Sequence, residues 1–152
     1  MACNPRVYTT RRLGIVNAIV DVLKNINGSA DYQTDLEGRV EPRLRFWDEV
    51  EEFPSVHVNA GLETRDYQGG GYKDRFLTVT IRVYIKQEDA VSALEGLLED
   101  IETVIEENSH LSYKDRTGAT QRIQDITLLS IDSDEGVLEP LGVGEIICEV
   151  RY

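Results

Sequence analysis

Leu77, Val79, Ile81, Val83 and Ile85 alternate without a break with Thr78, Thr80, Arg82, Tyr84 and Lys86. A two-residue period sends every apolar side chain to one face of a strand and every polar one to the other. A few residues later the period changes. Val91, Leu94, Leu97, Leu98, Ile101, Val104 and Ile105 recur at helical spacing within residues 88–108, which predicts a helix with one buried stripe. The strand and the helix can both hide their apolar sides only if the helix folds back onto a sheet. A layered domain is therefore required, and 152 residues are enough for one such core without staples. We expect a single domain over residues 1–152.

The remaining segments fill in that frame. Leu13, Val16, Ile19, Val20, Leu23 and Ile26 make a second helical stripe. It predicts a helix over residues 9–26, with Thr9 or Thr10 as N-cap and Asn27-Gly28 as its stop. Residues 29–38 show no period and read as a loop. Val40, Leu44 and Phe46 suggest a short extended piece, which Pro42 keeps at a sheet edge. An acidic connection over residues 48–52 follows. Val56, Val58, Ala60 and Leu62 then alternate with polar neighbours, predicting a half-buried strand with His57 facing outward. Residues 65–74, with Gly69, Gly70 and Gly71 at their centre, are too long for a tight turn and predict a hairpin with a projecting tip. Residues 110–118 read as a loop. Ile123, Ile126, Leu128 and Ile131 mark a strand whose alternation slips between Ile123 and Ile126 and again at Leu128-Leu129, the signature of a bulge. Residues 132–136 turn, and Ile146, Cys148, Val150 and Tyr152 share one face of a last strand. The order helix, strands, helix, strands predicts an α+β fold: a mainly antiparallel four- to five-stranded sheet with two helices packed on one face.

The chain is poor in chemistry. Its two histidines, His57 and His110, form no metal-binding pair, and a surface role is the plainer reading of both. Asp132, Asp134 and Glu135 echo a calcium loop without its ligand spacing, so an acidic turn is expected. The triple glycine lies between two strands, not between a strand and a helix as a phosphate loop demands. No nucleophile stands beside a base. We expect no enzyme, no cofactor and no metal. Cys3 and Cys148 suggest no disulfide framework, and no 18-residue apolar run predicts a membrane helix.

Charge says more. Sixteen Lys and Arg face 28 Asp and Glu, a net −12, which argues against unaided binding to nucleic acid or to an anionic membrane. Between Lys86 and Lys114 there is no basic residue and there are eight acids. Glu95, Glu99, Glu102 and Glu106 stack along one helix face, where like charges destabilise the helix by about 0.2–0.5 kcal/mol per pair. A solvated face is the bland reading. A surface meant for a basic neighbour, or for passing anionic DNA without holding it, is the functional one. Basic residues cluster elsewhere, as Arg6, Arg11 and Arg12 and as Arg39, Arg43 and Arg45. Separated charges of this kind suit head-to-tail contacts between copies. Tyr67 and Tyr72 flank the glycine tip, and aromatic tips are common at protein contacts.

Several stretches carry a family resemblance: the opening helix, Leu36-Glu37-Gly38-Arg39-Val40, Arg43-Leu44-Arg45-Phe46, Phe53-Pro54-Ser55-Val56, Leu97-Leu98-Glu99-Asp100-Ile101-Glu102 and the closing residues 144–152. Together, from about Thr9 to Tyr152, they resemble the tail terminator (tail completion) proteins of long-tailed bacteriophages. The resemblance implies a small protomer in a hexameric ring. Such a ring caps the finished tail tube, halts its polymerisation and offers the head a docking face. It also implies a tail tube protein and a head–tail connector as partners, DNA passing through a central channel, a place in the virion after assembly in the host cytoplasm, and no catalytic residues. Arg39, Arg43, Arg45, Tyr67, Gly69, Gly70, Gly71 and Tyr72 are then candidates for a subunit or tube interface. Glu95, Glu99, Glu102 and Glu106 are candidates for a channel or interface face. The same element order also fits a head–tail connector or neck ring. An acidic DNA mimic that blocks a nucleic-acid-binding enzyme is the alternative from another class, and a small ligand-binding domain is the third.

Overall fold

The computed structural model describes residues 11–29 and 31–152. Cys3, Arg6 and the N-cap candidates Thr9 and Thr10 lie outside the described residues. In chain order the elements are α1 (Arg12–Leu23), β1 (Val40–Glu41), β2 (Ser55–Tyr67), β3 (Lys73–Lys86), α2 (Ala90–Glu107), β4 (Ser112–Lys114), β5 (Thr120–Arg122), β6 (Asp125–Ser133) and β7 (Leu141–Arg151). Five strands form one sheet in the order β1-β2-β3-β7-β6, and β4 and β5 form a separate hairpin. Every pairing in the large sheet is antiparallel except that of the two-residue edge strand β1, which runs parallel to β2. The α+β expectation holds.

The strictly alternating segment takes the centre. β3 pairs with β2 on one side and with β7 on the other, and Leu77, Val79, Ile81 and Val83 are fully buried. Ile15, Ile19 and Leu23 of α1 and Leu94, Leu97 and Ile101 of α2 pack into the same core as Val79, Ile81, Ile146 and Cys148, so both helices cover one face. Asp89 caps α2 by accepting from the Ser92 N–H at 3.3 Å. The helix can come close to β7 because Gly144 faces it: a Cβ there would stand 3.1 Å from both Leu94 and Leu98.

Several local expectations are corrected. The first helix stops at Leu23, not at Asn27-Gly28. Asn25 and Ile26 donate to Val22 and Leu23 in a tightened last turn that tucks Ile26 into the core. Gly28, at φ +71°, serves instead the small loop closed by the Asn27–Asp35 bridge. Leu13 and Val91 lie on helices but are exposed, since each sits at the edge of its stripe. Leu62 is 72% exposed: the β2–β3 register slips between Ala60 and Glu63, and the extra residue turns the alternation over. His57 does alternate onto the sheet's second face, yet it is 2% exposed. The segment after β1 crosses that face, and the Tyr84 hydroxyl donates to the Arg45 carbonyl at 2.6 Å to hold it there. Residues 110–118 are not all loop, because β4 and β5 form the hairpin. The bulge expected near Leu128-Leu129 is present, between Leu128 and Ser130. Ile131, beyond it on the edge strand, is partly exposed.

Candidate assembly surfaces

The glycine tip ends an arm. The last β3–β7 ladder pair is Phe76–Arg151, extended by the backbone pair Arg75–Tyr152; beyond Arg75, β3 has only β2 beside it. The strands continue to Tyr67 and Lys73, so the predicted ten-residue loop shrinks to five residues. The Gln68 N–H donates to the Tyr72 carbonyl at 2.7 Å, and Gly70 and Gly71 take φ of +79° and +83°, a conformation that disfavours side chains. Tyr67 and Tyr72 are 70% and 76% exposed, and the Lys73 ammonium lies 5.8 Å from the Tyr67 ring centre. The directly opposed pairs are Arg65 with Arg75 and Asp66 with Asp74. Like charges in that position destabilise a ladder. Relief comes along β2 from Arg65 to Glu63 at 2.9 Å, and across to β7 from Arg151 to Asp74 at 3.0 Å.

The arginine set divides. Arg39 turns inward, donating to the Phe53 and Pro54 carbonyls at 2.8 Å each and pairing with Glu37. It fastens the start of β1 to the approach to β2. Arg45 and Arg43 share Glu41, at 2.8 Å and 3.4 Å. The Arg45 hydrogen bond holds the Glu41 carboxyl below its ordinary pKa. Arg43 remains the most open of the three, with 65% of its side chain exposed. These residues border a cleft of about 480 Å³ whose lining includes Glu41, Arg45, Glu49, Ser55 and His57. Ser55 Oγ is hydrogen-bonded to His57 Nε2, and the His57 ring meets Tyr84 edge-on at 5.6 Å. Burial pushes the imidazole pKa down, opposed by Glu41 and the Arg43 backbone. Ser55 and His57 are both almost wholly buried at the floor of that cleft.

On α2, Glu95, Glu99 and Glu106 are exposed and Glu102 is half-buried. Glu99 accepts from the Gln33 side chain at 3.0 Å. The stripe is thus open to solvent, with one end of the 29–38 loop laid against it. Sequence reasoning missed Asp100, which is buried. Its carboxylate accepts from the Gln33 N–H at 2.9 Å and the Thr34 N–H at 2.9 Å, pinning that loop to α2. The available signal was position: Asp100 lies three residues after Leu97 and four before Val104, on the apolar side of the helix. Among the described residues, no group of three His, Cys, Asp or Glu side chains could hold a metal ion, and no helix is long and apolar enough to cross a membrane.

A second cleft, of about 530 Å³, lies at the opposite end of the sheet from the arm. Trp47, Val50, Phe53, Leu138, Pro140 and Leu141 line it, with Asp48 and Lys86 at its margin. It had no counterpart in the sequence pattern, because its walls come from residues 47–53, the end of β3 and residues 138–141, which lie far apart in the chain.

The family described as Bacteriophage Tail Tube Terminator Protein matches residues 9–152. The chain is 37% identical over 149 residues to the tail tube terminator protein p142 of Escherichia phage T5, covering 93% of this chain and 92% of that protein. Its fold is similar to a chain in the solved virion of a native gene transfer agent particle. The TM-score is 0.57 at 10% identity, over 91% of this chain and 93% of the other. The chain belongs to the bacteriophage tail tube terminator protein family.

Proposed function

We propose that the protein acts as one folded unit in a homo-oligomeric, hexameric ring that caps the phage tail tube, stops its polymerisation and offers the head–tail connector a docking face. Family membership places it in the tail of the virion. The observation that carries the finer reading is the arm. It is a two-stranded ribbon with like charges opposed, Arg75 buried against Tyr152 at its root, and an exposed outer strand that leads to two exposed tyrosines at its tip. It adds nothing to the core, which suits a contact surface for the tube or a neighbouring subunit. The protein acts by shape and charge, not by catalysis. Arg43, with Arg45 behind it, meets an acidic neighbour, whereas Arg39 is committed within the protomer. Glu95, Glu99, Glu102 and Glu106 face the channel or a subunit boundary, where negative charge lets DNA slide past unbound.

Native mass spectrometry at moderate salt, with and without tail tube protein, tests the ring. The expected result is a species of six times the 17.2 kDa chain mass in at least the tube-bound sample. A monomer in both conditions rejects the ring.

A further inference from the structure

The second cleft is an apolar groove beside a strongly acidic bank. Trp47 is 60% exposed and Leu138 46%; Asp48 stands at the groove's margin, and Glu49, Glu51 and Glu52, exposed on the same segment, line the adjoining first cleft. The one cation in the groove, Lys86, is drawn over the Phe53 ring at 6.0 Å, which leaves the bank net negative. Such a groove fits an apolar segment that brings positive charge and no acid. In a chain of net −12, residues 1–20 contain Arg6, Arg11 and Arg12 and no Asp or Glu. Within them Arg6-Val7-Tyr8 sets one cation beside two apolar side chains. The arm tip is a poorer match, because Asp66 and Asp74 stand beside its tyrosines and would face the acidic bank.

Reach decides which copy supplies the segment. Arg11 is held at the arm end of the sheet: its guanidinium lies 5.4 Å from the Tyr152 ring centre, and Tyr152 is hydrogen-bonded through its backbone to Arg75. Arg12 donates to the Gly61 carbonyl at the same end. The groove sits by Lys86, the last residue of β3. From Arg75 to Lys86 the strand is about 37 Å long at ~3.4 Å per residue. Arg6 is five residues from Arg11 and reaches at most about 18 Å from it. Within one protomer the segment falls short of the groove, even with the Arg11 side chain fully extended.

We infer that residues 6–8 of one protomer dock in the Trp47–Leu138 groove of the next, with Val7 and Tyr8 on the apolar floor and Arg6 against Glu51 and Glu52. The contact is heterologous, so repetition builds a closed ring or an open chain. It rests on the ring reading and names one of its joints.

Two chains mixed in solution test it. One keeps Cys3, three residues before Arg6. The other, isotopically labelled, carries Cys3→Ser and either Leu138→Cys or, should that fold poorly, Val137→Cys at the exposed neighbouring position. Cys148 will not interfere: it is buried, and its thiol pKa is pushed up to about 12. Under mild oxidation, alone and with tail tube protein, a disulfide should join a labelled to an unlabelled chain. Its yield should drop at least five-fold when Glu51→Lys and Glu52→Lys are added. The proposal is overturned if no such link forms in either condition, if a chain bearing both thiols links only to itself, or if charge reversal leaves the yield unchanged. A six-fold mass without the link removes this joint and keeps the ring. The link without any six-fold species keeps the joint and removes the hexamer.

Discussion

The β2–β3 hairpin has two ends built to different rules. At its base, Val58 faces Ile81 and Val56 faces Val83, all fully buried under the helices. The opposite face there is covered too, with His57 and Tyr84 lying beneath the segment after β1. At the arm, the same two strands oppose Arg65 to Arg75 and Asp66 to Asp74 and leave Tyr67 and Tyr72 in solvent. The base gains stability from its own protomer. The arm, by ladder chemistry alone, loses some. A single hairpin therefore carries both the fold's strongest segment and its most outward-facing one, and the two can be separated by mutation.

The largest effect belongs to the base. Ile81→Ala removes a fully buried side chain from the central strand and should cost about 2–5 kcal/mol in chemical denaturation. A loss under 1 kcal/mol would mean that the centre of the sheet is not where stability resides. Arg39→Ala comes next. Two buried-side carbonyls lose a charged donor, and the expected destabilisation is about 1.5–3 kcal/mol, against about 0.5 kcal/mol or less for Arg43→Ala. Equal effects would undo the division of the arginine set. Asp100→Ala should cost about 1–3 kcal/mol by stranding two N–H groups. Hydrogen exchange should show faster exchange at Gln33 and Thr34, and unchanged protection there would dismiss the pin.

The base was legible in the sequence and much around it was not, for a physical reason. Period survives in the sequence where one element buries one face, as in Leu77 to Ile85 and in the apolar stripe of α2. It fails where burial comes from distant chain. His57 obeyed its alternation and was still buried, because the segment after β1 returns across the sheet. Leu62 broke its alternation because a bulge intervened. The candidate contact residues divide in the same way. Tyr67, Tyr72 and the glycine tip could be read as exposed from local pattern alone. The inward turn of Arg39 depends on the Phe53 and Pro54 carbonyls, 14 and 15 residues away, and the Trp47–Leu138 groove on segments 91 positions apart.

Acid should act on the base before the arm, through His57. Burial depresses its folded-state pKa, while the unfolded chain keeps a value near 6.5. Below about pH 6.5 the unfolded state therefore binds a proton that the folded state refuses, and stability falls with pH until the folded ring also titrates. Glu41, Arg43 and Arg45 face the ring from β1 and the segment after it, and Ser55, Arg82 and Tyr84 from β2 and β3. Trp47, the single tryptophan, lies on the segment that covers His57 and reports its release by fluorescence. His57→Gln should flatten this part of the pH profile. An unchanged profile in that variant would place the titration elsewhere.

The smallest effect on stability, and the largest on assembly, belongs to the arm. Tyr67→Ser with Tyr72→Ser removes two rings that touch little in the protomer, so unfolding should shift by no more than about 0.5 kcal/mol per residue. Removal of Gly69, Gly70 and Gly71 shortens the tip without reaching the Arg75–Tyr152 backbone pair, so the sheet below should stay intact. If the arm serves a neighbour, both variants should keep the circular dichroism of the native chain while the fraction recovered with tail tube protein drops at least ten-fold. Normal assembly by either variant would leave the arm without a partner. A large loss of stability would make the like-charge ribbon part of the fold after all, erasing the contrast between the two ends of the hairpin.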